Sequence, residues 1–310
     1  MKEAAAVKKL KVAVIGVGHL GQHHARVYAE LPNAKLLCVV DSNPVRGKEI
    51  AAKHGVSFTQ SYKELVGQVD AVSVVVPTVS HFEISKFFLE NGVHVLVEKP
   101  VTETVSQATI LEHLVGETNL VLQVGHIERF NPAWLAVHEA IIDPRFLEIH
   151  RLAPFKGRST DVGVVLDLMI HDIDIVLTIV GRKIVDIRSS GVAVLGKHED
   201  IVNSRLEFEG GCVANITASR ISQKEMRKIR IFQPHCYMML DYHKQSGEHH
   251  ELKDGKIQVT PIETVREEPL KVELADFVRC VLESAEPRVS IRHGKMALAA
   301  ALKILNQIKK

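Results

Sequence analysis

Gly16-Val17-Gly18-His19-Leu20-Gly21 follows a run of aliphatic residues and opens a helical pattern. That spacing suits a dinucleotide's pyrophosphate. The first glycine permits a tight turn, the second lets the backbone approach the phosphates, and the third allows close helix–strand packing at a helix N-terminus that favours negative charge. Alone the pattern is weak, but Asp41 ends the next apolar run, where a carboxylate accepts hydrogen bonds from an adenosine ribose. A carboxylate there repels the extra phosphate of NADP, so NAD is expected, with Arg46 on the following helix softening the preference. Glu98-Lys99-Pro100 ends a further apolar run. In an open parallel sheet ligands lie beyond the carboxyl ends of the strands, which puts Lys99 at the mouth of the cofactor cleft, with its direction restricted by Pro100. On spacing alone it is equally a solvated lysine.

These residues need a framework that brings strand ends to one edge, and the hydrophobic pattern provides it. Leu10–Ile15, Ala34–Val40, Ala71–Val76, His94–Val97 and Leu120–Val124 are rich in Val, Ile and Leu with little alternation, as in strands buried on both faces of a parallel sheet. Pro32 stops the helix begun at Gly21. Asn43-Pro44 reads as the N-cap and first turn of a helix halted at Gly55, and Ser80 as the cap of a helix ending before Gly92. The fold class expected is α/β, with an N-terminal Rossmann dinucleotide-binding domain over residues 1–125. Beyond about residue 145 the period becomes two. Val202, Ser204, Leu206 and Phe208 alternate with polar residues, as do Cys212, Ala214, Ile216 and Ala218 past the turn Glu209-Gly210-Gly211, then Cys236, Met238 and Leu240, while Asp254-Gly255 marks a hairpin. Helical patterns return at Val162–Val180, Leu270–Ser284 and His293–Ile308. Residues 126–310 are therefore expected to form an α+β domain with a mostly antiparallel open sheet, for substrate binding and oligomerisation, the C-terminal helix packing back on the first domain.

The chain has 310 residues, 46% apolar and 25% charged, an ordinary globular composition that excludes a disordered or collagen-like chain. A net charge of +2 offers no basic excess for nucleic acid. The four cysteines lie far apart, without the spacing of a zinc site or a disulfide framework. No signal peptide is visible, and the most apolar region, Val162 to Val180, is broken by Asp167, His171, Asp172 and Asp174. A cytoplasmic protein away from membranes is expected.

The glycine motif, Pro77 with His81 in "PTVSH", "EKP" at Glu98–Pro100, "GHIERFNP" at Gly125–Pro132 and "DLMIHDID" at Asp167–Asp174 together resemble the glucose–fructose oxidoreductase / inositol dehydrogenase (Gfo/Idh/MocA) family, over nearly the whole chain. The resemblance implies a two-domain NAD(P) dehydrogenase acting on CH–OH groups of sugars, sugar nucleotides or polyols. It implies a catalytic set of Lys99, Asp167 and His171, and a cofactor site of Gly16, Gly18, His19, Leu20, Gly21, Asp41, His81 and Glu98. Asp167 and His171, four apart on a helical pattern, share one face. A histidine exchanges a proton at neutral pH, so His171 is the candidate base. Lys99 would hydrogen-bond the reacting oxygen and Asp167 orient the sugar or hold Lys99; whether Lys99 or His171 carries the proton stays open. No metal is expected, since hydride transfer to NAD needs none.

Many relatives read roughly G-F-N-R-R-F at the junction; the departures at His126, Ile127 and Glu128 point away from a simple polyol. With "RSTDVGVVLDLMIHDIDIV" the pattern resembles bacterial UDP-N-acetylglucosamine 3-dehydrogenases, which oxidise the 3-hydroxyl before a transaminase acts, on the way to 3-amino-sugar lipid A. Arg129, Arg151 and Arg158 are the arginines available to a diphosphate, and Arg129, Arg158 and Asp172 are the substrate-binding candidates. The alternatives are another nucleotide sugar, an aldose or an inositol as substrate, or a non-catalytic NAD-binding regulator. Val213, Tyr237 and Met239 lie on an open sheet face suited to a homodimer or homotetramer.

Overall fold

The computed structural model describes residues 9–155 and 162–308. Six strands, β1 (Leu10–Ile15), β2 (Ala34–Val40), β3 (Ser57–Thr59), β4 (Ala71–Val74), β5 (His94–Glu98) and β6 (Leu122–Gly125), form a parallel sheet in the order β3-β2-β1-β4-β5-β6. Helices α1 (Gly21–Glu30), α2 (Pro44–His54), α3 (His81–Glu90) and α4 (Val105–Gly116) connect them. The apolar runs become these strands because both faces are covered: Val12, Ala13 and Val14 of β1 are wholly buried. Asn43 caps α2 by accepting the Val45 and Arg46 amides, Pro44 occupies its first turn, and Gly55 ends it at φ 65°. Ser80 precedes α3 as expected, yet its side chain makes no capping hydrogen bond.

The second sheet follows the short helix α5 (Pro132–Leu135). Its strands are β7 (Phe146–Leu152), β8 (Ile184–Val192), β9 (Ile201–Phe208), β10 (Val213–Ser219), β11 (Met226–Gln233), β12 (Cys236–Asp241), β13 (Ser246–Lys253) and β14 (Lys256–Ile262). They are ordered β14-β13-β12-β11-β7-β10-β9-β8, and every neighbouring pair is antiparallel except β7 with β10. Helix α6 (Ile170–Val180) buries Ile170, Ile173 and Val176 in the same core as the inward residues of the sheet, Leu147, Leu206, Ile216 and Ile229. The opposite face carries a cross-strand row. Phe146, Phe232, Tyr237 and His250 follow one another with ring centroids 5.7, 5.2 and 4.2 Å apart, and Val213 pairs beside Phe146.

The chain divides into two compact units, Met1–His126 with Leu270–Lys295, and Ile127–Pro269 with Met296–Lys310. The second domain is thus not the unbroken stretch 126–310. Helix α7 (Pro269–Glu283) places Leu274, Phe277, Val278 and Cys280 in the core around β1 and β2. Helix α8 (Ile291–Ile308) has Gly294 against Val124, where a Cβ would come within 2.8 Å, while Ala297, Ala301 and Ile304 belong to the second core.

Helix α7 also inserts a carboxyl among these apolar residues. Glu273 is fully buried and neither of its oxygens has a hydrogen-bond partner. Burial, then the charge of Glu98, raises its pKa well above the carboxylate range, so it sits in the core as the neutral acid. Its folded pKa exceeds the unfolded value of about 4.3. The associated stability is therefore complete below that value and is lost, at about 1.4 kcal/mol per pH unit, as the pH rises toward the folded pKa. Glu273→Gln removes the titration. The melting temperature of the variant minus that of the wild type, followed by circular dichroism, is expected to grow as the pH rises above the unfolded value; a difference independent of pH contradicts a neutral Glu273.

Candidate active site

The turn after β1 is shaped by what its glycines exclude. Gly16 has φ 84°, and a Cβ there would lie 2.4 Å from the Val75 carbonyl oxygen. A Cβ on Gly21 would lie 1.8 Å from the Gly16 carbonyl oxygen, so only glycine lets α1 start this close to the strand. At Gly18 a Cβ would meet nothing within 4 Å; the space in front of that backbone is open. Leu20 is exposed on the same turn, as is His19. Asp41 is held from two sides, Oδ2 accepting the Val17 amide and Oδ1 the Asn43 amide, both at 2.8 Å. Arg46 turns back to donate from Nε to the Val17 carbonyl at 3.1 Å and from Nη2 to Gln22 at 2.8 Å. Gly16, Gly18, Asp41, Tyr62 and Pro77 line a cleft of about 510 Å³. An open backbone approach, a helix N-terminus and a fixed carboxylate in one cleft fit a dinucleotide.

His81 and Glu98 are not among the residues that line this cleft. His81 is buried, with Nδ1 2.8 Å from the Pro100 carbonyl and Nε2 2.8 Å from the Val76 carbonyl, so it ties the loop after β4 to the loop after β5. Burial pulls its pKa below the ordinary value. Glu98 Oε1 lies 3.2 Å from His24 Nε2, and Oε2 accepts the amide of Lys99 at 3.2 Å. Against the upward push of burial, His24 and then Lys99 hold the Glu98 carboxyl below its usual range. A Cβ on Gly125 would meet the Glu98 carboxyl at 2.9 Å, so β6 keeps glycine where that side chain lies. Half-buried Lys99 directly follows β5, at the carboxyl end of the sheet. His24 was not singled out from sequence, because its partner is 74 residues away and nothing local marks it.

In the second unit Asp167 lies within a π-helical turn, Val165–Met169, and His171 is the second residue of α6. The spacing of four residues that suggested one regular helix therefore spans a change of winding; such turns recur at functional sites. Asp172 is not open to a ligand. Both its oxygens accept from Arg151, at 2.7 and 2.8 Å, and its side chain is 3% exposed. Arg129 is also enclosed, donating to the Thr178 hydroxyl, standing 3.5 Å from Asp174 and lying over the Trp134 ring. Arg151 is committed to Asp172 and Glu128. The buried arginines expected for a diphosphate are thus internal ligands of this unit, and Arg158 lies outside the described residues. Among the described residues no three His, Cys, Asp or Glu side chains are grouped to hold a metal ion.

Two family models match the chain: the GFO/IDH/MocA oxidoreductase family, NAD-binding Rossmann fold, over residues 10–126, and the GFO/IDH/MocA C-terminal domain over residues 143–234. UDP-N-acetylglucosamine 3-dehydrogenase of Acidithiobacillus ferrooxidans is 36% identical over 302 residues, covering 95% of this chain and 96% of that protein. A solved structure of that enzyme superposes with a TM-score of 0.93 at 35% identity, over 97% of this chain and 98% of the other. The scyllo-inositol 2-dehydrogenase (NAD(+)) of Bacillus subtilis is 30% identical over 236 residues, 69% of this chain and 68% of its own. Levoglucosan dehydrogenase in complex with NADH and levoglucosan shares the fold, with a TM-score of 0.88 at 17% identity, over 97% of this chain and 98% of that one. The chain belongs to the GFO/IDH/MocA family of oxidoreductases and is a dehydrogenase with an NAD-binding Rossmann domain.

Proposed function

We propose that this family member oxidises the 3-hydroxyl of UDP-N-acetylglucosamine, using NAD in preference to NADP. The observation that carries the reading is the 36% identity to the Acidithiobacillus ferrooxidans enzyme across 95% of the chain, which takes in both units. Bound NAD supplies the hydride acceptor. Gly16, Gly18 and Gly21 hold its pyrophosphate against the start of α1, and Asp41 accepts its adenosine ribose hydroxyls. His171 takes the hydroxyl proton, Lys99 hydrogen-bonds the same oxygen and stabilises the charge it develops, and Asp167 orients the sugar ring. An inositol substrate is the second reading, favoured by the Bacillus subtilis relative. A regulator without turnover has no need of Lys99, Asp167 and His171 together. The reading extends to a cytoplasmic enzyme supplying an aminotransferase on the way to a 3-amino-sugar lipid A, and to copies associating through the face that carries Val213, Phe146, Phe232 and Tyr237.

NADH absorbance with a panel of UDP-N-acetylglucosamine, other nucleotide sugars, free aldoses and inositols tests the substrate. Turnover confined to an inositol selects the second reading, and no turnover with any of them selects the regulator. Asp41→Ser is expected to narrow the preference for NAD over NADP in binding titrations; a wild-type protein that binds NADP equally well removes the role given to Asp41. His171→Ala is expected to lower turnover about 100-fold or more while leaving NAD affinity nearly intact, since the glycine turn and Asp41 belong to the first unit. Near wild-type hydride transfer in that variant removes His171 from the chemistry.

A further inference from the structure

A buried ion network joins the segment after β6 to the helix that carries His171, entirely within the second unit. Arg151 lies on the inward face of β7, two residues on from Ile149. Its Nε donates to Asp172 Oδ2 at 2.7 Å, its Nη2 to Asp172 Oδ1 at 2.8 Å and its Nη1 to Glu128 Oε1 at 2.8 Å. Glu128 Oε2 accepts from Asn131 Nδ2 at 3.2 Å, and that nitrogen also donates to the Tyr242 carbonyl at 3.0 Å. Arg227, on the strand beside Arg151, stands 3.8 Å from Glu128. The Arg151, Asp172 and Glu128 side chains are 5%, 3% and 7% exposed.

Stability alone is a weak reason for such a network, because desolvating the charges offsets most of their attraction and apolar side chains of similar volume often do as well. What the network supplies is direction. A guanidinium fork on both oxygens of one carboxylate fixes the rotation and the translation of the residue that bears it. Helix α6 needs that, because it starts from the π-helical turn Val165–Met169, whose wider winding does not hand on the phase of a regular helix. Asp172 follows His171 directly, so the fork sets the phase at the residue from which the imidazole projects. Arg129 holds the next turn through Asp174 and Thr178.

We propose that Arg151, gripping Asp172 and braced by Glu128, is a positioning residue that aims His171 for proton transfer. The proposal rests on the reading of His171 as the proton acceptor. Displacement of a reacting group by about 1 Å can cost two orders of magnitude in rate.

The test is a cycle built from Asp172→Asn, which keeps the shape and loses the charge, and His171→Asn, each assayed with UDP-N-acetylglucosamine and NAD. Asp172→Asn is expected to lower kcat about tenfold or more, with KM and NAD affinity within about threefold, and to add nothing further when His171 is already Asn, because an effect exerted only through His171 vanishes with it. An equal loss in both backgrounds, or a wild-type kcat in Asp172→Asn, overturns the proposal. Wild-type turnover in His171→Asn overturns the prior reading of His171 instead. Arg151→Lys, which keeps the charge and loses the fork, serves in the same cycle if Asp172→Asn fails to fold, and a wild-type kcat in that variant overturns the proposal equally.

Discussion

The start of α1 against the Gly16 carbonyl is the contact on which the first unit turns. The oxygen lies where a Cβ on residue 21 would be, so the helix begins as close to β1 as a backbone allows. The positive end of the helix then lies at the cleft instead of being lifted away from it. Everything nearby is arranged around that closeness. Asp41 receives the Val17 amide, Arg46 reaches the Val17 carbonyl, and the two together hold the turn against the ends of β2 and α2. A wider junction would lose the helix terminus, the carboxylate and the cleft at once.

The second unit solves its positioning problem by different means. Helix α6 begins on a π turn and is held from the side by two buried arginines, one on β7 and one just before α5. Both units bury ionisable side chains. In the first, Glu98 stays ionised beside His24 and Lys99 while Glu273 stays neutral. In the second, Arg151 is satisfied by two carboxylates. In each unit one of these carboxylates adjoins a residue of the proposed catalytic set, Glu98 before Lys99 and Asp172 after His171.

The parts legible in the sequence were those with local causes. The glycine turn, the Asn43-Pro44 start and Gly55 stop of α2, the alternation of β9 and β10 and the Asp254-Gly255 turn, with φ 52° and 73°, each depend on residues a few positions apart. What escaped had distant causes. Arg151 and Asp172 are 21 residues apart and His24 and Glu98 74, and no periodicity marks such pairs. Arginines in a domain expected to meet a diphosphate read as ligands for it until their internal partners are visible. The π turn escaped because Asp167 and His171 keep a helical spacing through it. The membership of α7 escaped because an amphipathic stripe fits any apolar surface, and only contact tells which core it enters.

The three glycines of the turn also differ in what each is answerable to. Gly16 and Gly21 are fixed by the fold itself, since a methyl group would collide with main-chain atoms in the protein alone. Gly18 faces empty space and owes the fold nothing. In a laboratory lineage selected only for heat resistance, position 18 is free to drift to alanine while positions 16 and 21 are held. With the cofactor contact proposed for Gly18, selection for turnover holds all three, so the history of one residue separates a scaffold that survives from a catalyst that works.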